Sequence, residues 1–123
     1  MHVLTLLVVL FIIQPVGEYW LHRLAHWLQL TYHLSHHKFS SYGRFWKYQG
    51  DWTCRFLIAV LALCGWYTAA LALLKYEASH TIVHRTPGLR YLHRHHFLHH
   101  RHPTKNFSFS AIWPDRLFGT LEI

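Results

Sequence analysis

Charge is scarce in this chain. Asp, Glu, Lys and Arg make up 14% of its 123 residues, whereas ordinary globular chains have about 25%. Among the charged residues, five are acidic and twelve are Lys or Arg, so the formal net charge is +7 with neutral histidines. Because 52% of the residues are hydrophobic and 17% aromatic, the composition argues against an ordinary soluble domain. It favours a membrane protein whose polar parts lie near anionic lipid.

Cysteine is also scarce, which excludes two kinds of site. The chain has only Cys54 and Cys64, so it carries no disulfide framework and no CxxC metal pair.

The basic residues are spread singly, without a zinc finger, a basic recognition helix or an RNA-binding signature. Nucleic acid is therefore not an expected partner. The length predicts a single domain over residues 1–123.

The first apolar segment begins near the N-terminus. Val3–Ile13 is uncharged but too short to span a bilayer, which takes about 20 residues. Apolar character resumes after Pro15 and Gly17, which predicts a kinked span over Val3–Leu21. No Lys or Arg precedes the run and no small-x-small site follows it, so we expect a retained helix rather than a cleaved signal.

The second apolar segment is Phe56–Leu74, which holds 19 residues without a charge. As one helix it would be about 28 Å long, close to the roughly 30 Å of a bilayer core. Cys64 and Gly65 lie at its middle, and glycine readily bends or breaks a helix.

Histidine is abundant, and ten of the 14 histidines fall into four groups. An HxxxH followed by an HxxHH occurs twice, with the second apolar segment between the two copies. The ten residues are His22 and His26; His33, His36 and His37; His80 and His84; and His96, His99 and His100. Residues three and four apart share one face of a helix, so each group directs its imidazoles to one point. Ten neutral imidazoles are enough to ligate two metals such as Fe, Zn or Cu.

An acidic residue precedes each HxxxH. Glu18 lies four residues before His22, and Glu77 lies three before His80. Metal-bound histidines usually donate their other ring N–H to an acceptor, and these glutamates are candidates for that role. The alternative is that both are ordinary interfacial charges. The histidines at positions 2, 93, 95 and 102 lie outside the four groups, and His95 is the one most readily promoted to a supporting role.

Both copies of the pattern must lie on the same side of the membrane if they share a site. A single crossing by Phe56–Leu74 would separate them, so the segment is predicted to be a re-entrant helical hairpin or a strongly bent pair of helices. The chain is thus expected to be all-α. It would combine a kinked N-terminal span and this hairpin with a cytosolic helical cap that carries the histidines.

At these motifs the chain resembles the fatty acid hydroxylase superfamily, the membrane di-iron hydroxylases of acyl chains, sterols and carotenoids. The matching pieces are EYWLHRLAH, YHLSHH, YEASHTIVHRTP, HHFLHH and NFSFSAIWPDRLFGT, which run from Glu18 to Thr120. Membrane desaturases look similar but usually have fewer histidine boxes. HxxxH followed by Thr-Pro, and the HHxxHH spacing, are most similar to the fatty acid 2-hydroxylase branch.

The resemblance implies a cofactor, a reaction and partners. Two Fe ions, which Zn can replace in a purified protein, would activate O2 with two external electrons and insert oxygen into a C–H bond of a lipid. The donor would be a protein such as cytochrome b5 or ferredoxin. The histidines would face the cytoplasm, at the endoplasmic reticulum in a eukaryote. The ten histidines would be the ligands, with Glu18, Glu77, His95 and Asn106 as supporting residues.

The chain departs from its relatives at two positions, and other functions stay open. Ser108 stands where relatives usually have Gly, and Pro114 separates Trp113 from Asp115 where relatives read Trp-Asp. The alternative enzymes are a sterol or carotenoid hydroxylase or a desaturase-like relative. The alternative outside enzymes is a membrane metal- or haem-binding protein.

Overall fold

The computed structural model describes residues 3–30, 33–34, 37, 44–85 and 90–123, and it describes side chains for these except 44–51, 81, 83–85 and 90–93. The described residues form helices joined by turns and loops, without a strand. The all-α prediction is therefore confirmed. His36 lies outside the described residues, and the side chains of His84 and His93 lie outside the described side chains.

The N-terminal segment forms one long helical rod. It consists of α1 (Val3–Val8), a π-helical stretch (Val9–Ile13) and α2 (Gln14–Trp27). The π-helical stretch ends two residues before Pro15, which lies in the first turn of α2. The kink expected at this proline stays a prediction. At 25 residues, Val3–Trp27 is the one described helix long and apolar enough to cross a membrane.

The second apolar segment is a helical hairpin, as predicted. Helix α3 (Arg44–Leu63) and helix α4 (Tyr67–Arg85) pack along each other. Gly65 adopts a φ of 79° in the turn between them, a left-handed conformation that costs glycine little. The apolar part of α3, Trp52–Leu63, is about 18 Å long, well short of a bilayer core of roughly 30 Å. Because of the turn at Gly65, the second apolar segment is not one straight helix.

The C-terminal third wraps around the polar end of α2. Helix α5 (Arg90–Arg101) is followed by an irregular segment and then by the short helix α6 (Trp113–Leu117). Tyr19 of α2 is fully buried, with its ring stacked on Phe118 at 4.7 Å between centroids and edge-on to Phe107 at 5.6 Å. These aromatic contacts fix the C-terminal segment against the same helix that carries His22 and His26.

Residues 105–110 form an irregular segment, neither helix nor strand, that we name the strap. Its second residue, Asn106, has a left-handed conformation, φ 53°, which asparagine tolerates better than most residues. Phe107, Ser108 and Phe109 are all buried. Pro114 lies in the first turn of α6, where a missing N–H costs no hydrogen bond. The extra proline is thus accommodated, and Asp115 after it is completely buried.

Candidate metal centre

Five histidines from three parts of the chain converge on one point. His22 and His26 come from successive turns of α2, and His99 comes from α5. After α2 the chain turns at Gln29, whose φ is 53°, and His33 and His37 point back at the helix. One ring nitrogen from each of the five lies within 4.8 Å of all the others. We name these residues the five-histidine cluster: His22, His26, His33, His37 and His99.

The nitrogen spacing in this cluster fits a metal ion. His33 Nε2 lies 3.0 Å from His22 Nε2 and 2.9 Å from His26 Nε2. His99 Nε2 lies 3.1 Å from His26 Nε2 and 3.2 Å from His37 Nε2. Nitrogen ligands about 2.0–2.1 Å from a shared ion lie roughly 3 Å apart when they are neighbours. The donor set and its spacing therefore suit a borderline metal such as Fe or Zn.

Backbone carbonyls of the strap set the tautomer of two of these histidines. His22 Nδ1 makes a short contact with the carbonyl oxygen of Phe107, and His99 Nδ1 lies 2.6 Å from that of Lys105. Because a carbonyl oxygen only accepts hydrogen bonds, Nδ1 carries the proton in both rings. The Nε2 lone pair of each is then directed at the centre of the cluster, as metal ligation requires.

Burial keeps the cluster neutral. Burial, together with the neighbouring His99 and His100, lowers the pKa of His37 to about 2. Burial also lowers the pKa of His99 to about 4, even though its bond to the Lys105 carbonyl acts in the opposite direction. Only a neutral imidazole binds a metal, so these side chains are ready to ligate at neutral pH.

Three more of the predicted ligands lie beside the cluster. His96 Nε2 and His100 Nε2 are 3.0 Å apart. The ring of His80 lies 5.5 Å from that of His96, and the ring of His100 lies 4.5 Å from that of His37. We name His80, His96 and His100 the adjoining group. The remaining predicted ligands, His36 and His84, cannot be placed among the described side chains.

The predicted supporting glutamates occupy two different positions. Glu18 Oε1 accepts hydrogen bonds from the strap N–H groups of Phe109, at 2.6 Å, and Ser110, at 2.9 Å. It thus reaches the histidines through the strap. Glu77 forms an ion pair at 2.8 Å with Arg55 across the helical hairpin. That contact favours the interpretation of Glu77 as an interfacial charge.

The other two predicted supporting residues, His95 and Asn106, form hydrogen bonds with the C-terminal segment. His95 Nε2 lies 3.1 Å from Asp115 Oδ2, and both residues are buried. The Asn106 side chain exchanges two hydrogen bonds with the backbone of Glu122, at 2.7 and 3.0 Å, which ties the start of the strap to the C-terminal tail. His102 pairs with Glu122 at 2.5 Å on the exposed surface, away from the cluster.

Asp115 is a supporting residue that the sequence did not predict. Its carboxylate accepts hydrogen bonds from the backbone N–H groups of Phe107 and Ser108, at 2.8 Å each, and from the Thr120 hydroxyl at 2.7 Å. Burial raises the pKa of Asp115, but the hydrogen bonds from His95, Thr120 and the strap outweigh it and hold the pKa below its usual value. One signal was present, because Asp115 is an acid within an aromatic-rich stretch of few charges.

An open cleft of about 480 Å³ reaches the outer side of His26. Its wall is made by both the end of α2 and the segment before the strap. The lining residues are Arg23, His26, Trp27, Gln29, Leu34, Pro103, Thr104 and Phe107.

Comparison with known proteins identifies the family. No curated protein and no solved structure matches the chain. The family model described as fatty acid hydroxylase matches residues 7–120, which include all ten predicted ligands. The chain therefore belongs to the fatty acid hydroxylase family.

Proposed function

We propose that this protein is a membrane-bound di-iron oxygenase that hydroxylates a C–H bond of a lipid acyl chain, using O2 and two electrons from an external donor. Family membership indicates a hydroxylase-type oxidoreductase. The five-histidine cluster at the polar end of the long apolar helix is the observation that carries the proposal. It would bind one iron, and the adjoining group would contribute to the second.

The chain's own residues hold and shield such a centre. When bound, the irons supply the activation of O2. The protein keeps the imidazoles neutral and converging, as the lowered pKa values of His37 and His99 indicate. Complete burial of His99 excludes water from its side of the cluster, which restrains loss of the oxidant to solvent.

The arrangement of apolar surface supports a lipid substrate. The helix Val3–Trp27 would place its apolar part in the bilayer and His22 and His26 at the interface. The hairpin tip exposes Leu63 and Trp66, at 88% and 66% of their surface, as expected if it enters the same leaflet. An acyl chain would then reach the metals from the bilayer. We place the histidines on the cytoplasmic side, at the endoplasmic reticulum in a eukaryote.

The charge balance supports a separate electron donor. A net charge of +7 favours encounter with an acidic partner, and a cytochrome b5 or a ferredoxin would supply the two electrons. Haem binding is the less favoured alternative. The macrocycle separates the two axial histidines of a haem, whereas here five nitrogens lie within 4.8 Å of one another.

Metal content and product analysis test the proposal. The full chain, expressed in a host membrane and purified in detergent, should contain about two irons per chain, and host lipids should carry a new hydroxyl group. His99→Ala should lose both properties. His102→Ala is the matched control, because this exposed histidine follows His99 by three residues and pairs with Glu122. Haem in the purified protein, or iron without a hydroxylated lipid, would contradict the assignment.

A further inference from the structure

We propose that Asp115 is a positioning residue for the metal centre and that it acts on His22 through a single peptide group. The inference rests on the proposed metal centre but does not require hydroxylation. The peptide group joins Phe107 to Ser108. Its carbonyl oxygen accepts the hydrogen bond of His22 Nδ1, and its N–H donates to Asp115 Oδ2 at 2.8 Å. Carboxylate, peptide and imidazole therefore form one continuous chain of hydrogen bonds.

Such a chain changes the basicity of the ligand. An anion at the N–H end of a peptide group polarises it and makes its carbonyl oxygen a stronger acceptor. A stronger acceptor on Nδ1–H in turn makes the Nε2 lone pair of His22 a better donor to a metal. The metal-facing side of His22 would thus be supported by a carboxylate that does not touch the ring.

The surroundings make this coupling strong. Asp115 and Ser108 are fully buried and Phe107 is 4% exposed, so water screens the chain of hydrogen bonds little. Asp115 also holds the preceding peptide, through the Phe107 N–H on Oδ1 at 2.8 Å. The carboxylate therefore fixes both the orientation and the polarity of the carbonyl that faces His22. His95 Nε2, 3.1 Å from the same carboxylate, connects this arrangement to helix α5.

His99 provides a comparison within the same cluster. Its acceptor is the carbonyl of Lys105, and the N–H of that peptide belongs to Asn106 and donates to the backbone carbonyl of Thr120 at 3.0 Å. A neutral carbonyl polarises the peptide less than a carboxylate does. We therefore expect His22 to be the more strongly basic of the two ligands.

Glu18 is the matched control for Asp115. Its buried carboxylate also holds the strap, through the N–H groups of Phe109 and Ser110. The carbonyls of those two peptides belong to Ser108 and Phe109, whereas His22 donates to Phe107. A variant of Glu18 therefore removes a buried carboxyl group that holds the strap but leaves the peptide that contacts His22 in place.

The first test compares Co2+ binding by Asp115→Asn and Glu18→Gln in the full chain in detergent micelles. Competition with a chelator gives the affinity, and the visible absorption of bound Co2+ gives the coordination. Asp115→Asn should weaken binding about tenfold or more and alter the absorption bands, since loss of an outer partner typically costs 10–100-fold. Glu18→Gln should weaken it by less than about threefold. Equal effects of the two variants, or an unchanged affinity and spectrum in Asp115→Asn, would overturn the proposal.

The second test needs no variant and decides the matter if Asp115→Asn does not fold. In the wild-type chain with ¹⁵N-labelled histidine and bound Zn2+, His22 should be the Nδ1–H tautomer, identified by its proximity to Phe107. Its Nδ1 proton should resonate further downfield than that of His99. Protonation of His22 at Nε2, or a His99 Nδ1 proton further downfield than that of His22, would overturn the proposal. Neither test measures hydroxylation, so a failure of the proposed enzymatic function would be seen separately.

Discussion

The five-histidine cluster and the adjoining group differ in what holds them in place. The cluster is fixed by the backbone of the strap, whose carbonyls orient His22 and His99. The described contacts between the adjoining group and the strap are ring contacts, since the rings of His80 and His96 lie 5.1 and 5.8 Å from that of Phe109. One short segment thus supports both groups in different ways. The comparison shows that a pattern repeated in the sequence does not produce two equivalent sites.

The fourth histidine box is divided between the two groups. His96 and His100, four residues apart on α5, face each other with their Nε2 atoms 3.0 Å apart. His99 turns away from them and joins the cluster formed by the first two boxes. This division departs from the expectation that each group directs all its imidazoles to one point, because the adjacent residues His99 and His100 project about 100° apart around the helix.

The largest expected effect comes from removing one ligand from each group. His99→Ala should abolish metal binding by the cluster and lower hydroxylation roughly 100-fold or more. His80→Ala should also lower hydroxylation but should retain about one metal ion per chain, held by the intact cluster. Metal analysis of the two purified variants checks this difference. Complete metal loss in His80→Ala would show that the two groups form a single, inseparable site.

A smaller effect is expected when the metal-free protein is acidified. Burial lowers the pKa of His99 to about 4 from 6.5, so between these values the unfolded chain takes up a proton that the folded chain does not. The free energy of unfolding should therefore decrease as the pH falls through this window, and His99 should contribute roughly 1 kcal/mol per pH unit to the slope. Thermal unfolding of the metal-free chain in detergent measures the slope.

His99→Gln is the variant that tests this pH dependence. It removes one titrating group and should make the slope shallower by roughly 1 kcal/mol per pH unit. The part of the slope due to His37, whose pKa is also lowered by burial, should remain. The exposed His102 pairs with Glu122 at the surface, so His102→Gln should retain the wild-type slope. An equal flattening in both variants would show that burial of His99 is not the cause.

The hairpin turn permits a milder test of the adjoining group. Gly65→Ala places a Cβ in open space but at a φ of 79°, so only backbone strain is introduced, at a cost of about 1 kcal/mol. Because α4 carries His80, we expect a lower melting temperature and weaker binding of the second metal, with cluster binding unchanged. Gly17→Ala, inside α2 and also without a clash, is the control that should not lower the melting temperature. Equal loss of both metals in Gly65→Ala would contradict the separation of the groups.

The smallest effect is expected at Ser108. Its buried hydroxyl has no hydrogen-bond partner among the described residues, whereas its N–H donates to Asp115. Ser108→Ala removes only the hydroxyl, so stability should stay the same or rise by about 1 kcal/mol, and Co2+ affinity should not change. Thermal unfolding and chelator competition measure the two quantities. A clear loss of affinity would show that the hydroxyl, rather than the peptide, supports the cluster.

Much of the fold could be predicted from local signals. The hairpin followed from Gly65 at the middle of an uncharged segment together with the need to bring both histidine copies to one side. The helices that carry His22, His26 and His99 followed from residue spacing. The partner of Glu18 could not be predicted, because its acceptor role depends on strap N–H groups 91 and 92 residues away. For Glu77 the sequence left two interpretations open, and only its distance to Arg55 favours one of them.

The sequence by itself determined the residue types and the spacing that make a histidine-rich membrane site, because helical periodicity places residues three and four apart on one face whatever surrounds them. Only the tertiary structure decided which histidines share a centre and which groups orient them. The grouping of His99 with His22, and the role of Asp115, depend on hydrogen bonds to the strap backbone. Every residue carries such backbone groups, so the side-chain pattern contains no signal for the ones that a fold will bring to a metal site.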